Sequence, residues 1–190
     1  MEENKHFWES PRAFAARMRA AAAEVHRAAG LAGAALLSAL GLLLNQFTIA
    51  VSQFLEIGFS FLALAACGYL WGPWLAGLAG IVTDLLGYFL RPNGGFFIGF
   101  TFNEFLAGVL YGCWLYKRPV TLARTFLACL SVVLIINLFF TPLWLHLMYG
   151  KTFLLSSVRL IKNAVKLPLD TGLLYMVLRL AQARLKKGTL

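Results

Sequence analysis

Four polar residues at helical spacing near the end of the chain pose the first chemical question. In RLIKNAVK, residues 159–166, Arg159, Lys162, Asn163 and Lys166 fall within an arc of about 100° when wound as a helix. Apolar runs flank them on both sides, so a cationic face lies close to lipid and needs a partner. Two readings stand open. Each cation pairs with Glu56, Asp84, Glu104 or Asp170, or reaches an interface with its head group. Alternatively, the face binds an anion: with Arg91 and Lys151 there are five such cations against those four acids, and an anionic small molecule supplies the missing charge.

A second candidate is Asp84, in GLAGIVTDLLG. Gly77, Gly80, Asp84 and Gly87 recur at i, i+3, i+7 and i+10 and line one helix face. The glycines suit close helix packing. An ionisable side chain inside an apolar segment is costly unless paired or facing water, so Asp84 either meets a cation of 159–166 or touches a ligand.

The stretch RPNGGFFIGFTFNEF, residues 91–105, combines irregular, glycine-rich backbone with Phe97, Gly99, Phe100, Thr101, Asn103 and Glu104. Aromatic faces can stack on a flat heterocycle while amide, hydroxyl and carboxylate groups read its polar edge. The same residues also describe an interfacial aromatic belt. The later segment TPLWLHLMYGKTF adds Trp144, His146, Tyr149 and Lys151. No second His or Cys stands at metal-binding spacing beside His146, so no metal is assigned. G-x-S-x-G, H-E-x-x-H and phosphate-binding glycine loops are all missing, so neither hydrolysis nor ATP use is encoded in this chain. Cys67, Cys113 and Cys129 are scattered in apolar spans without C-x-x-C spacing and read as small core residues.

The elements that position these residues follow from composition. Hydrophobic residues make up 60% of the chain and charged residues 13%, with a mean hydropathy of +0.74. Charge-free intervals run over 28–55, 57–83 and 125–150, each long enough to cross a bilayer with residues left for a loop. Only a helical bundle satisfies their backbone, since none alternates as a barrel strand does. The expected fold is therefore all-α, an integral membrane bundle of six transmembrane helices. Its spans are about 31–49, 61–71, 74–90, 99–116, 121–140 and 157–185, with a turn or loop around 53–60. Gly72-Pro73, residues 91–95, Lys117-Arg118-Pro119 and Thr141-Pro142 are the breaks between them. Residues 1–27 form a basic lead-in and 28–187 the membrane domain, the first apolar run being read as a retained span rather than a cleaved signal.

Six spans put both termini on one side. The N-terminal arginines, Lys117, Arg118, Arg124, Arg184, Lys186 and Lys187 mark that side as cytoplasmic. Arg91, Lys151, Arg159, Lys162 and Lys166 then lie outward, against the usual bias, and anion capture from outside gives a reason for it.

These residues resemble the substrate-binding subunits of energy-coupling factor (ECF) vitamin transporters, most closely the folate type. The resemblance rests on Ala35-x-x-x-Ala39, Ile57-Gly58-Phe59, Gly72-Pro73 with Gly80, Asp84, Leu86 and Gly87, and Gly99-Phe100-Thr101 with Gly108, Tyr111 and Gly112. It continues through Arg159-Leu160-Ile161-Lys162-Asn163 and Leu167-Pro168. It implies a bacterial plasma-membrane subunit without enzymatic activity or cofactor that captures a vitamin on its outer face. Its implied partners are a transmembrane scaffold subunit, docked at Ala35 and Ala39, and two ATPase subunits that drive it to topple and release its cargo. Folate suits the residues chemically, with flat rings for the aromatic loop and two carboxylates for the Arg and Lys cluster. Another anionic aromatic vitamin fits the same pattern. An integral membrane enzyme using Asp84, Glu104 and His146 is the reading from a different class, and no nucleophile–base spacing supports it.

Overall fold

The computed structural model describes residues 9–47, 49–52, 55–90, 95–150 and 157–187. The chain runs through helices α1 (Pro11–Glu24) and α2 (Ala28–Gln46) into strands β1 (Ile49–Ser52) and β2 (Leu55–Ile57). Helices α3 (Ser60–Trp71), α4 (Pro73–Leu90), α5 (Ile98–Leu115) and α6 (Leu122–Val132) follow. A π-helical segment (Val133–Phe140), α7 (Thr141–Tyr149) and α8 (Ser157–Lys187) complete it. Among the described residues, four stretches are long and apolar enough to cross a membrane: Ala28–Gln46, Pro73–Leu90, Ile98–Leu115 and Leu122–Tyr149. Helix α3 is apolar but shorter, and α8, although 31 residues long, carries Lys162, Lys166, Asp170 and Arg179 along its length.

Three features depart from the sequence reading. First, the fold is helical but not purely α, because β1 and β2 pair antiparallel, with Ile49 opposite Ile57 and Ala50 opposite Glu56. Part of the expected turn at 53–60 is thus a strand, favoured by β-branched Ile49, Val51 and Ile57. Second, Thr141-Pro142 does not end the fifth span. The Thr141 amide bonds the Ile136 carbonyl five residues back, and this wide turn admits Pro142, whose ring would crowd the carbonyl of a regular turn. Third, the basic lead-in does not run straight into the first span; it forms its own helix, and the chain turns at residues 25–27 before α2 starts.

Helix α1 has a definite seat. Ser10 caps it by accepting the Ala13 amide at 3.3 Å, and Pro11, whose missing amide hydrogen costs nothing at that position, opens its first turn. From this helix Arg17 donates to the carbonyls of Cys113 and Tyr116, each at 3.0 Å. Those oxygens belong to the end of α5, where helix carbonyls lack partners and a cation is favoured by the helix dipole. Glu9 joins the cluster, pairing with Arg17 at 2.9 Å and with Arg118. The Trp74 indole donates to the Met18 carbonyl at 3.2 Å, tying α1 to the start of α4 as well.

Small residues let the central helices touch. A Cβ at Gly108 would lie 2.7 Å from the Gly77 amide nitrogen, and one at Gly112 would lie 2.9 Å from the Gly72 carbonyl carbon. Backbone therefore packs on backbone between α4 and α5, which only glycine permits. Ala65, Cys67, Ala76, Leu174 and Leu178 are fully buried around this contact, the last two one turn apart on the inward face of α8.

Candidate functional site

The α4–α5 contact sets the site. Asp84 lies six residues before the end of α4 and Glu104 six residues after the start of α5. Because a short loop joins those two ends, both carboxylates sit about 9 Å below the loop. A Cβ at Gly80 would stand 2.8 Å from the Glu104 carbonyl carbon, so the helices meet just where the carboxylates need to be neighbours. Thr101, buried on α5, donates its hydroxyl to Asp84 Oδ2 at 2.6 Å. Thr83 turns its own hydroxyl back to the Ala79 carbonyl at 2.8 Å.

Both carboxylates face a cavity of about 430 Å³ enclosed by α2, α3, α4, α5 and α7. That volume lies within the usual range for small-molecule sites. Glu104 is exposed to it although it sits in the middle of the bundle. Among the described residues, the charges acting on Glu104 are Asp84 and Lys166 of α8.

Aromatic residues form the wall nearest the α4–α5 loop. Phe97 and Phe100 line the cavity with ring centroids 6.1 Å apart, and Phe96 packs on Tyr88 at 5.2 Å. Behind Phe97 stands Trp144, 5.7 Å away, itself stacked on Phe140 at 5.7 Å. Its position is locked by its indole, which donates to Asn103 Oδ1 at 3.0 Å, while the Asn103 amide donates to Thr141 at 3.2 Å. Gly99 leaves the room this requires, since a Cβ there would lie 2.6 Å from the Trp144 ring. Tyr149, largely exposed, lines the cavity from the end of α7.

Of the residues singled out from the sequence, Asp84, Phe97, Phe100, Glu104 and Tyr149 therefore meet at one cavity. Gly99, Thr101, Asn103 and Trp144 stand behind its wall and hold it. The α8 group stands apart. Asn163 is buried and accepts from Asn137 of the π-helical segment at 3.1 Å, and Lys166 lies 3.9 Å from Asp170, one turn along. Lys162 is partly buried and outside the cavity lining. Arg159 belongs to α8, with its side chain outside the described residues, as are Arg91 and Lys151 altogether. Ala35 and Ala39 are exposed on α2, on a face they share with Leu36, Leu40 and Leu43.

Several lining residues escaped the sequence reading. Ser38, Gly41 and Asn45 of α2 all border the cavity. Their signal was present: polar or small residues at i, i+3 and i+7 in an otherwise charge-free run mark one face. Ser60, Thr83, Tyr88 and Met148 had no such local signature.

Residues 30–178 match the family described as ECF transporter, substrate-specific component. The folate transporter FolT of Clostridium novyi (strain NT) is 33% identical over 137 residues, covering 72% of this chain and 80% of that protein. The folate transporter FolT of Leuconostoc mesenteroides is 29% identical over 151 residues, covering 76% and 81%. A solved structure described as FolT bound with folic acid superposes with a TM-score of 0.69 at 37% identity, covering 76% of this chain and 89% of that one. The chain belongs to the family of substrate-specific components of ECF transporters, a family of transport subunits and not of enzymes.

Proposed function

We propose that this chain is the folate-binding subunit of an ECF transporter, crossing the plasma membrane six times with both termini and the Lys117-Arg118 turn in the cytoplasm. The observation that carries the reading is the cavity: about 430 Å³, walled by Phe97 and Phe100 and bearing two carboxylates, in a chain similar to proteins named for folate. A flat heterocycle stacks between such rings, and its N–H donors suit the carboxylates. Gly99, Thr101, Asn103 and Trp144 keep that wall in place, and Tyr149 covers its edge.

Positive charge for the ligand's glutamate comes from α8, in which Arg159 and Lys162 precede Lys166 by about two turns and one turn. Lys166, a turn deeper, offsets the charge of Glu104, and Asn163 anchors this face of α8 to Asn137. At an effective dielectric constant near 20, a unit charge about 10 Å away still contributes about 1.7 kcal/mol. Ala35 and Ala39 offer a face of small side chains to a transmembrane scaffold subunit, which two ATPase subunits energise. The isolated subunit then binds without turnover.

Purified protein in detergent, incubated with folic acid, tests this directly. Saturable one-to-one binding by equilibrium dialysis, with the ligand recovered unchanged, supports the reading. Saturable binding of a different aromatic acid and none of folic acid would replace folate with that vitamin.

A further inference from the structure

We infer that the outward face of α1 is a docking surface for anionic phospholipid headgroups, with Arg12 and Arg19 as the residues that hold them. The inference does not depend on which vitamin is carried. Helix α1 precedes residues 30–178, the part that matches the family, and none of its residues lines the ligand cavity.

The seat of α1 sets its depth. Met18 accepts the Trp74 indole, Arg17 donates to carbonyls at the end of α5, and a Cβ at Gly72 would lie 2.7 Å from the Ala21 methyl. All three contacts are made where the apolar stretches Pro73–Leu90 and Ile98–Leu115 begin or end, so α1 lies at the level of the lipid headgroups. It also reaches the rim of the bundle there. Trp74 leads the stripe Trp74, Leu78, Val82 and Leu86, exposed at four-residue spacing, which is the side of α4 that meets lipid. Phe14, exposed and one turn before Met18, continues that rim, and an aromatic ring at the end of a span suits the interface.

Charge then separates the two sides of α1. The inward Arg17 is paired with Glu9, and Arg27, just past the helix, is paired with Glu24 at 3.1 Å. Arg12 and Arg19 are exposed, and among the described residues their side chains have neither an ion pair nor a hydrogen bond. At about 100° per residue, the exposed arc runs over about 160° from Phe14 through Ala22 and Ala15 to Arg19 and Arg12. Its apolar edge continues the lipid-facing rim and its cationic edge lies beyond, the arrangement of a helix lying in a membrane surface. Alanine between the two edges leaves room for a headgroup, and a guanidinium matches phosphate oxygens with two parallel hydrogen bonds.

Full-length protein in neutral detergent micelles, titrated with phosphatidylglycerol or phosphatidylcholine and followed by native mass spectrometry, gives the affinity of the first bound lipid. Unaltered protein should prefer phosphatidylglycerol at least tenfold at low salt, and the preference should shrink in about 0.5 M salt, where surface charge is screened. Equal affinity for the two lipids overturns the inference. Arg12→Gln combined with Arg19→Gln should weaken phosphatidylglycerol about fivefold per arginine, about twenty-five-fold together, and leave phosphatidylcholine unchanged. Tm without added lipid should not change, because neither side chain loses a partner; a fall would assign both arginines to the fold instead. Arg179→Gln combined with Arg184→Gln removes the same charge from exposed positions of α8 and should spare the lipid site. Equal loss in both double variants would mean that net charge alone attracts the lipid, and release of the lipid by excess inorganic phosphate would assign the arginines to a free anion. If the α1 variant keeps its lipid affinity but no longer assembles with scaffold and ATPase subunits, the face docks protein and the inference fails.

Discussion

Replacing Gly80 with alanine tests the packing that places the two carboxylates. The added methyl would lie 2.8 Å from the Glu104 carbonyl carbon and 3.3 Å from the Phe105 nitrogen, whereas ordinary contacts begin near 3.4 Å. The obstacle is backbone on both sides, so no side chain can swing away. Helices α4 and α5 have to part by about half an ångström or more, and inserting a methyl into such a contact costs about 1–3 kcal/mol. One turn along α4 from the insertion, the 2.6 Å bond from Thr101 to Asp84 stretches with the helices. A hydrogen bond to a charged group contributes about 1.5–3 kcal/mol, and part of that is lost too. Because the two losses share one movement they do not simply add, and a total of about 2–4 kcal/mol is expected. For a chain of this size each kcal/mol is worth about 2–4 °C, so Tm should fall by about 5–12 °C. Folic acid affinity should fall about tenfold or more, since Glu104 and Asp84 no longer hold their spacing. Thermal unfolding followed by tryptophan fluorescence, with and without folic acid, reads both quantities. Gly172→Ala is the control: it lies inside α8 with nothing within 4 Å of a new Cβ, and better helix propensity should leave Tm unchanged or slightly higher. If Gly80→Ala behaves like Gly172→Ala, close approach of α4 and α5 is not what positions the site.

Three further outcomes are expected. Arg17→Ala strips the Cys113 and Tyr116 carbonyls of their donor and should lower stability by about 1–3 kcal/mol while leaving folic acid affinity unchanged, measurable in the same two assays. Burial pushes the Glu9 carboxyl up, but hydrogen bonds and charge from Arg17 and Arg118 outweigh it and hold the group below its ordinary value of 4.5. The stabilisation from Glu9 is therefore complete above pH 4.5 and lost as pH falls through the lower folded-state value. A Tm gap between the wild type and Glu9→Gln at pH 7 should narrow as pH falls below 4.5, and a gap that does not narrow refutes the assignment. Replacing both Ala35 and Ala39 by leucine adds volume on an exposed face of α2, so cellular folate uptake should stop while the isolated subunit still binds; loss of binding would mean that this face packs the bundle itself.

Much of the fold was legible because its signals are local. Charge-free runs of bilayer length, the Gly72-Pro73 break and the Ser10-Pro11 start depend on neighbouring residues alone, and α3, α4 and α5 begin and end within a residue or so of where those signals place them. Asp84 and Glu104 could be picked out for the same reason, as ionisable residues where lipid-facing chain carries none without cause, and Phe97 and Phe100 as aromatic residues clustered beside polar ones. Partnership between distant segments was not legible. Nothing in the neighbourhood of Asp84 says that its hydroxyl partner is Thr101 rather than a cation of α8, because that choice depends on how closely two glycine-bearing helices approach. Nothing around Pro142 shows that a wide turn will carry the helix past it, and the cationic segment before α2 does not announce that Arg17 will cap a helix about a hundred residues away. Solvent and periodicity determine which segments become helices and which faces are apolar. Which polar groups meet is settled by backbone contacts between elements far apart in the chain, and only the tertiary structure decides it.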